Sequence, residues 1–306
     1  MDEIVNQIED VIKNGTINIY GVLYQHRNKN ENFAIALPKI GETNLIENFC
    51  SNIIRCKDLQ EVSYNPLSNG SANGTYETIK LSNIKTKWDE ICNLINDHLD
   101  FSGKVNREKV SFSNLFIGAL DYDEKRYYLF AKQHNNSNKL LTGKSVILAN
   151  QDKVKLVKDK EIFVIDSYVS LIVDKEEDKV LIFDKKDFQD IFKYNDYLKE
   201  TVNKNLNILD QWNFLSSSQF IKDKASQKNV YERLAVVFEN RTYIDQINNT
   251  KPADLKANII KYCPNEFSEA DFIEDKLNVT SNNLDKVMKM LSKGFKFNFF
   301  TNEAER

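Results

Sequence analysis

The feature that most constrains this fold is a change of apolar period at Asp184. Between Leu115 and Phe183 the apolar residues fall in short runs: Leu115–Leu120, Arg126–Lys132, Lys144–Leu148, Lys153–Val157, Glu161–Val173 and Lys179–Phe183. Their length and their Val, Ile, Phe and Tyr content read as strands, and the acidic stretch Asp174–Asp178 reads as the turn of a hairpin between the last two. After Asp184 the spacing becomes helical: Phe188, Ile191 and Phe192, then Leu198, Val202, Leu206 and Leu209, with a kink expected at Tyr194-Asn195. Strands gathered ahead of helices, rather than alternating with them, point to an α+β fold.

The first hundred residues carry a smaller version of the same mixture. Ile4, Val5, Ile8, Val11 and Ile12 recur at helical spacing and Gly15 follows as a stop. Thr16–Gln25 and Asn32–Leu37 predict a hairpin across a polar link. Ile46, Phe49, Cys50 and Ile53 suggest a helix, Gln60–Pro66 and Thr75–Leu81 two strands, and Trp88, Ile91, Cys92, Ile95 and Leu99 one helical stripe. Ser102-Gly103 is a plausible break. The expected organisation is an N-terminal α+β domain over 1–103, a small sheet with packed helices, then a β-rich and finally helical C-terminal domain over 104–306. Further helices are expected at Asn229–Glu239, at Pro252–Tyr262 and along Leu284, Val287, Met288 and Leu291, with a cap formed by Ser268 and Asp271.

With 306 residues, 41% of them hydrophobic, the chain can bury a sizeable core. Its net charge is only −3, but the charge is segregated. Residues 125–160 hold nine basic side chains (Lys125, Arg126, Lys132, Lys139, Lys144, Lys153, Lys155, Lys158 and Lys160) against Asp152 and Asp159, a local +7. Residues 1–103 and 161–210 each sum to −5. Such segregation creates a field that the total conceals. Lysines on adjacent strands, with Tyr127, Tyr128 and Phe130 among them, could present a groove to a phosphate backbone. They could equally be the solvent side of strands, since edge strands use lysine against aggregation.

Few catalytic patterns survive inspection. Thr142-Gly143-Lys144-Ser145 imitates the end of a phosphate-binding loop, but Asn138 stands where that loop needs glycine, and a turn between strands is the better reading. Asp166 with Glu177 and Lys179 imitates the spacing of a metal-dependent nuclease, although Glu177 and Lys179 fall in a charged turn. His26, His98 and His134 are far apart and lack ligand-spaced partners. No nucleophile elbow occurs. No cofactor and no metal are indicated. Of Cys50, Cys56, Cys92 and Cys263, three sit on apolar helical faces, which suits buried thiols in a reducing cytoplasm. No stretch approaches the apolar length of a membrane span, and the acidic, amphipathic Met1–Asp10 does not read as a signal peptide.

Several motifs together resemble the KwaB component of the Kiwa anti-phage defence system. Phe163-Val164-Ile165-Asp166, the acidic turn and Val180-Leu181-Ile182-Phe183 look like that family's central hairpin. Lys185-Lys186-Asp187-Phe188-Gln189-Asp190-Ile191-Phe192 looks like its signature of a lysine pair leading into Phe-x-x-Ile-Phe, with Tyr194–Asn205 as the charged helix behind it. Glu61–Pro66, a polar loop and Ile79–Ile84 before the Trp88 helix match its first-half layout, whereas Asn298-Phe299-Phe300-Thr301 departs from its usual ending. The resemblance implies a cytoplasmic, non-enzymatic DNA-binding effector. It forms a homodimer, works with a small transmembrane KwaA-like partner at the inner face of the membrane, and restrains phage DNA replication or transcription without cutting DNA.

On this reading the phosphate-contacting residues are Lys125, Arg126, Lys132, Lys139, Lys144, Lys153, Lys155 and Lys158, with Lys286, Lys289 and Lys293 as a second basic helix face. Two rivals remain: a metal-dependent nuclease using Asp166, Glu177 and Lys179, and an adaptor whose basic segment docks an acidic protein or anionic lipid.

Overall fold

The computed structural model describes residues 10–11, 14–25, 32–36, 51–54, 59–68, 74–100, 110–132, 138–140, 145–150, 153–158, 161–163, 168–293, 297–300 and 303–304. The chain forms two compact units. One comprises 1–65 with 69–192, the other 66–68 with 193–306.

The first unit is built on a sheet of nine strands among the described residues, in the order β3-β4-β13-β12-β7-β6-β1-β2-β5. These are β1 (Thr16–Gln25), β2 (Asn32–Ala36), β3 (Gln60–Ser63), β4 (Thr75–Lys80), β5 (Leu99–Asp100), β6 (Val110–Tyr122), β7 (Lys125–Lys132), β12 (Leu171–Asp174) and β13 (Lys179–Ile182). Only the outer pairs, β3/β4 and β2/β5, are parallel. Four further strands pair outside this sheet: β8 (Asn138–Leu140) with β11 (Glu161–Phe163), and β9 (Ser145–Asn150) with β10 (Lys153–Lys158). The expected β1/β2 hairpin and the β12/β13 hairpin are both present and antiparallel.

The sheet is covered on both faces, so its central strands read as apolar runs rather than as a strict alternation. One face buries Ile19, Phe116, Leu120, Tyr127, Leu129, Ile172, Leu181 and Tyr76 together with Val11 and Ile53. The other carries Tyr128 and Phe130, which meet Trp88 at ring-centroid distances of 4.9 and 6.4 Å. Trp88 belongs to α2 (Lys85–Asn96), and Phe130 also packs on Phe192 at 5.8 Å, just past α3 (Lys185–Ile191). The expected stop at Gly15 has a steric reason. Its N–H closes onto the Val11 carbonyl at 2.8 Å, and a Cβ there would lie 2.4 Å from that oxygen and 2.9 Å from Leu120.

Three sequence expectations need correction. The boundary expected at residue 103 falls between strands of a single sheet: β1 pairs with β6 and β4 with β13, and the units divide after Phe192 instead. Glu161–Val173, read as one strand, contains two, β11 and β12. Ahead of β12, the side-chain amide of Asn52, in the short helix α1 (Ser51–Ile54), takes both backbone groups of Val169, at 2.8 and 2.9 Å. The kink expected at Tyr194-Asn195 is a full break: Lys193 takes a left-handed conformation (φ 49°) between α3 and α4 (Tyr194–Asn205). Most of the first helix and of the Ile46–Ile53 helix lies outside the described residues.

The second unit is helical. After α4 come α5 (Gln219–Lys224), α6 (Lys228–Phe238), α7 (Arg241–Asn249), α8 (Pro252–Tyr262) and α9 (Leu284–Leu291). Leu198, Val202, Leu234, Val287 and Leu291 are fully buried between them. The Ser268 cap is present as a reciprocal box: the Asp271 carboxylate accepts from the Ser268 N–H at 2.8 Å and its hydroxyl at 3.1 Å, and also from the buried amide of Asn283 at 2.8 Å. Phe299 and Phe300 are buried, with Phe300 against Phe214 and Tyr243. The divergent tail thus joins this core.

Candidate nucleic-acid interface

The basic segment begins on β7, whose pairing sets its residues in register with β6 and β12. At its start, Asp123 and Glu124 link Tyr122 to the opposite Lys125 in a two-residue turn, both with positive φ (47° and 63°). The cross-strand pair Asp121–Arg126 closes this end. The guanidinium grips the carboxylate through Nε at 2.5 Å and Nη2 at 2.9 Å, which raises the Arg126 pKa above its ordinary value. A shallow cleft of about 490 Å³ here is lined by Lys125, Arg126 and Lys175, but equally by Asp121, Glu124 and Glu176. Three charges of each sign leave little net field at this end.

Lys132 lies at the other end of β7, seven residues and roughly 23 Å from Lys125. Its ammonium is held by α3: Asp190 accepts a hydrogen bond from it, and Asp187, fully buried, stands 3.5 Å away. Asp187 also accepts from the buried hydroxyl of Ser170 at 2.5 Å, while its own N–H bonds to the Asp184 side chain that caps α3. Ser170 in turn donates its N–H to the Phe130 carbonyl. One polar network therefore ties the end of β7, the approach to β12 and α3 together.

Lys139, Lys153, Lys155 and Lys158 lie on the strands β8 and β10, opposite Ile162, Asn150, Leu148 and Ser145 respectively. Lys144 lies outside the described residues. Of the residues singled out by sequence, Lys125, Arg126 and Lys132 lie in the nine-stranded sheet, and Lys139, Lys153, Lys155 and Lys158 on paired strands outside it. Asp121, Asp187 and Asp190, which engage those sheet cations, carry no sequence pattern that would mark them as partners.

Of the nuclease-like trio, Lys179 bonds to Glu61 at 2.9 Å, the Glu177 N–H is taken by Asp174 at 3.1 Å, and Asp166 lies outside the described residues. Burial would raise the Glu61 carboxyl, but Lys179 and the Thr78 hydroxyl together outweigh it and the net shift is downward. Among the described residues no group of three or more His, Cys, Asp or Glu could hold a metal ion, and no helix is long and apolar enough to cross a membrane. Of the second basic set, Lys286 bonds to the Glu266 carbonyl, Lys293 lies 4.6 Å from the centre of the Tyr243 ring, and Lys289 is exposed.

An α+β chain with a basic β-segment anchored to a broad sheet, followed by a helical unit, is the class these features define. Residues 121–296 match the family described as Kiwa protein KwaB-like. With 176 of 306 residues matched, the chain belongs to that family and hence to Kiwa anti-phage defence. No curated protein and no solved structure matches the chain. The matched stretch contains the basic segment, the Asp187 network and most of the helical unit.

Proposed function

We propose that this chain is the DNA-binding effector of its Kiwa system. It grips DNA mainly through backbone phosphates, with weak sequence preference, and blocks phage DNA replication or transcription without catalysing cleavage. It acts as a homodimer in the cytoplasm, drawn to the inner face of the membrane by a small transmembrane KwaA-like partner. The observation that carries this reading is a local +7 over 125–160 in a chain whose total charge is −3, inside the stretch that matches the family.

A salt titration of DNA binding by the purified chain tests it. The logarithm of the affinity is expected to fall linearly with that of the salt concentration, with a slope of about −0.9 per phosphate neutralised. Affinity that is absent, or indifferent to salt, overturns the reading. Incubation of plasmid with the protein and Mg²⁺ or Mn²⁺ should leave the DNA intact; nicking would revive the nuclease alternative.

A further inference from the structure

The helical unit holds a cleft of about 480 Å³ whose lining differs in kind from the basic segment. Helix α7 buries Tyr243, Ile244 and Ile247, and its opposite side presents Thr242, Asp245, Gln246 and Asn249 to the cleft. Those four positions, i, i+3, i+4 and i+7, form one stripe along a helix, about 10 Å long at a rise of 1.5 Å per residue. Asp254 and Asn258, one turn apart, line the cleft from α8. Only two of its ten lining residues are apolar, Phe299 and Phe300, and both lie beyond the stretch that matches the family.

Hydrogen-bonding capacity converges here unused. Among the described residues, the side chains of Asp245, Gln246, Asn249 and Asp254 bond to no other group. The cleft carries two carboxylates against the single ammonium of Lys251, and three side-chain amides add acceptor oxygens. An anion is poorly served by this set. Asp254 lies in the first turn of α8, where its charge offsets the positive helix end, and Pro252 has no N–H to offer. A guanidinium is well served. It only donates, through five N–H groups in a planar fork, so carboxylate and amide oxygens complement it, and its flat face stacks on an aromatic ring. Phe300 brings such a ring to the cleft, packed against Tyr243 at 5.8 Å and Phe214 at 5.5 Å.

We propose that this cleft binds an arginine side chain presented by a peptide segment of a partner protein. Asp245 and Asp254 accept from the guanidinium, and the amides of Gln246 and Asn249 complete its hydrogen bonds. Small-molecule sites are walled mainly by apolar groups that bury most of the ligand. With eight of ten lining residues polar or charged, the cleft instead suits a side chain whose parent chain stays outside. The proposal is independent of the DNA-binding reading, because carboxylates that accept from a guanidinium repel phosphate.

The test follows a fluorescein-labelled pentapeptide, Gly-Ser-Arg-Ser-Gly, by fluorescence anisotropy as the full chain is added at low salt. The peptide is expected to bind, and citrulline in place of arginine, which keeps the shape but not the charge, should weaken binding about tenfold or more. Lysine in that place should bind several-fold less tightly, since a compact ammonium cannot span both carboxylates. D245N/D254N should lose about tenfold, while D245E/D254E, which keeps both charges, should stay within about threefold of the unmodified chain. Both carboxylates are exposed, so neither variant should shift the melting temperature. Equal binding of the arginine and citrulline peptides, or no binding up to about 1 mM, overturns the proposal. Full affinity in D245N/D254N overturns it as well. N-acetylarginine amide competing as tightly as the peptide would assign the cleft to a free small molecule and also overturn it.

Discussion

The Lys132 ammonium sits 3.5 Å from the carboxylate of Asp187, a residue fully buried 55 positions further along the chain. Besides Lys132, that carboxylate has the Ser170 hydroxyl. Removing the cation takes a counter-charge from a buried carboxylate, which is costlier than losing an exposed pair. Lys132→Met is expected to lower unfolding free energy by about 2–4 kcal/mol in urea, and adding Asp187→Asn should restore part of it. The DNA salt slope of Lys132→Met should match the unmodified chain. A loss below about 0.5 kcal/mol would show that this pair contributes no more than an exposed one.

Asn52 donates to the carbonyl and accepts from the N–H of Val169, 117 residues away. Asn52→Ala leaves two backbone groups without those partners, a cost of about 2 kcal/mol. Hydrogen exchange should localise the effect: the Val169 amide is expected to exchange faster by an order of magnitude or more, while Leu129 and Ile172 in the sheet keep their protection.

Asp123 and Glu124 occupy turn positions whose positive φ suits Asn and Gly far better. Replacing the pair by Asn-Gly should therefore stabilise the first unit, by about 1–2 kcal/mol in thermal or chemical denaturation. An unchanged or lowered midpoint would mean that the acidic side chains contribute contacts worth more than the backbone strain.

Burial would raise the Asp271 carboxyl, but the Ser268 N–H, the Asn283 amide and the Ser268 hydroxyl together hold it below its ordinary value. A depressed carboxylate pKa contributes stability above the unfolded-state value near 3.8, lost as pH falls through the folded-state value. Asp271→Ala should thus cost about 1–2 kcal/mol at pH 7, with the difference from the unmodified chain shrinking below pH 4. A difference that does not shrink as the pH falls below the unfolded-state value would assign the loss to packing.

Local structure was largely legible where backbone preference and burial agree. Tyr127, Leu129 and Phe130 announce a strand, and Pro252 and Ser268 mark helix starts that the structure contains. What failed was long-range or conformational. The bonds from Asn52 to the Val169 backbone span 117 residues, and nothing in the type of Lys193 announces its left-handed backbone. Helix α7 was missed because Arg241–Asn249 is short and polar, although the Asn240 cap, accepting from Tyr243 N–H, was a readable signal. The charge of the candidate interface was visible in composition. Its division was not: Asp187 lies in a run of charged residues that looks solvated, and only the fold buries it beneath Lys132.

The strand order also bears on synthesis. β4 joins the main body of the sheet only through β13, with Lys80 opposite Lys179, so strands made early wait about a hundred residues for that partner. Such non-local pairing slows folding, because a long loop must close before its contacts give any return. A nascent chain halted before Lys179 would expose one edge of β4, an invitation to wrong pairing that ends only when the β12–β13 hairpin docks.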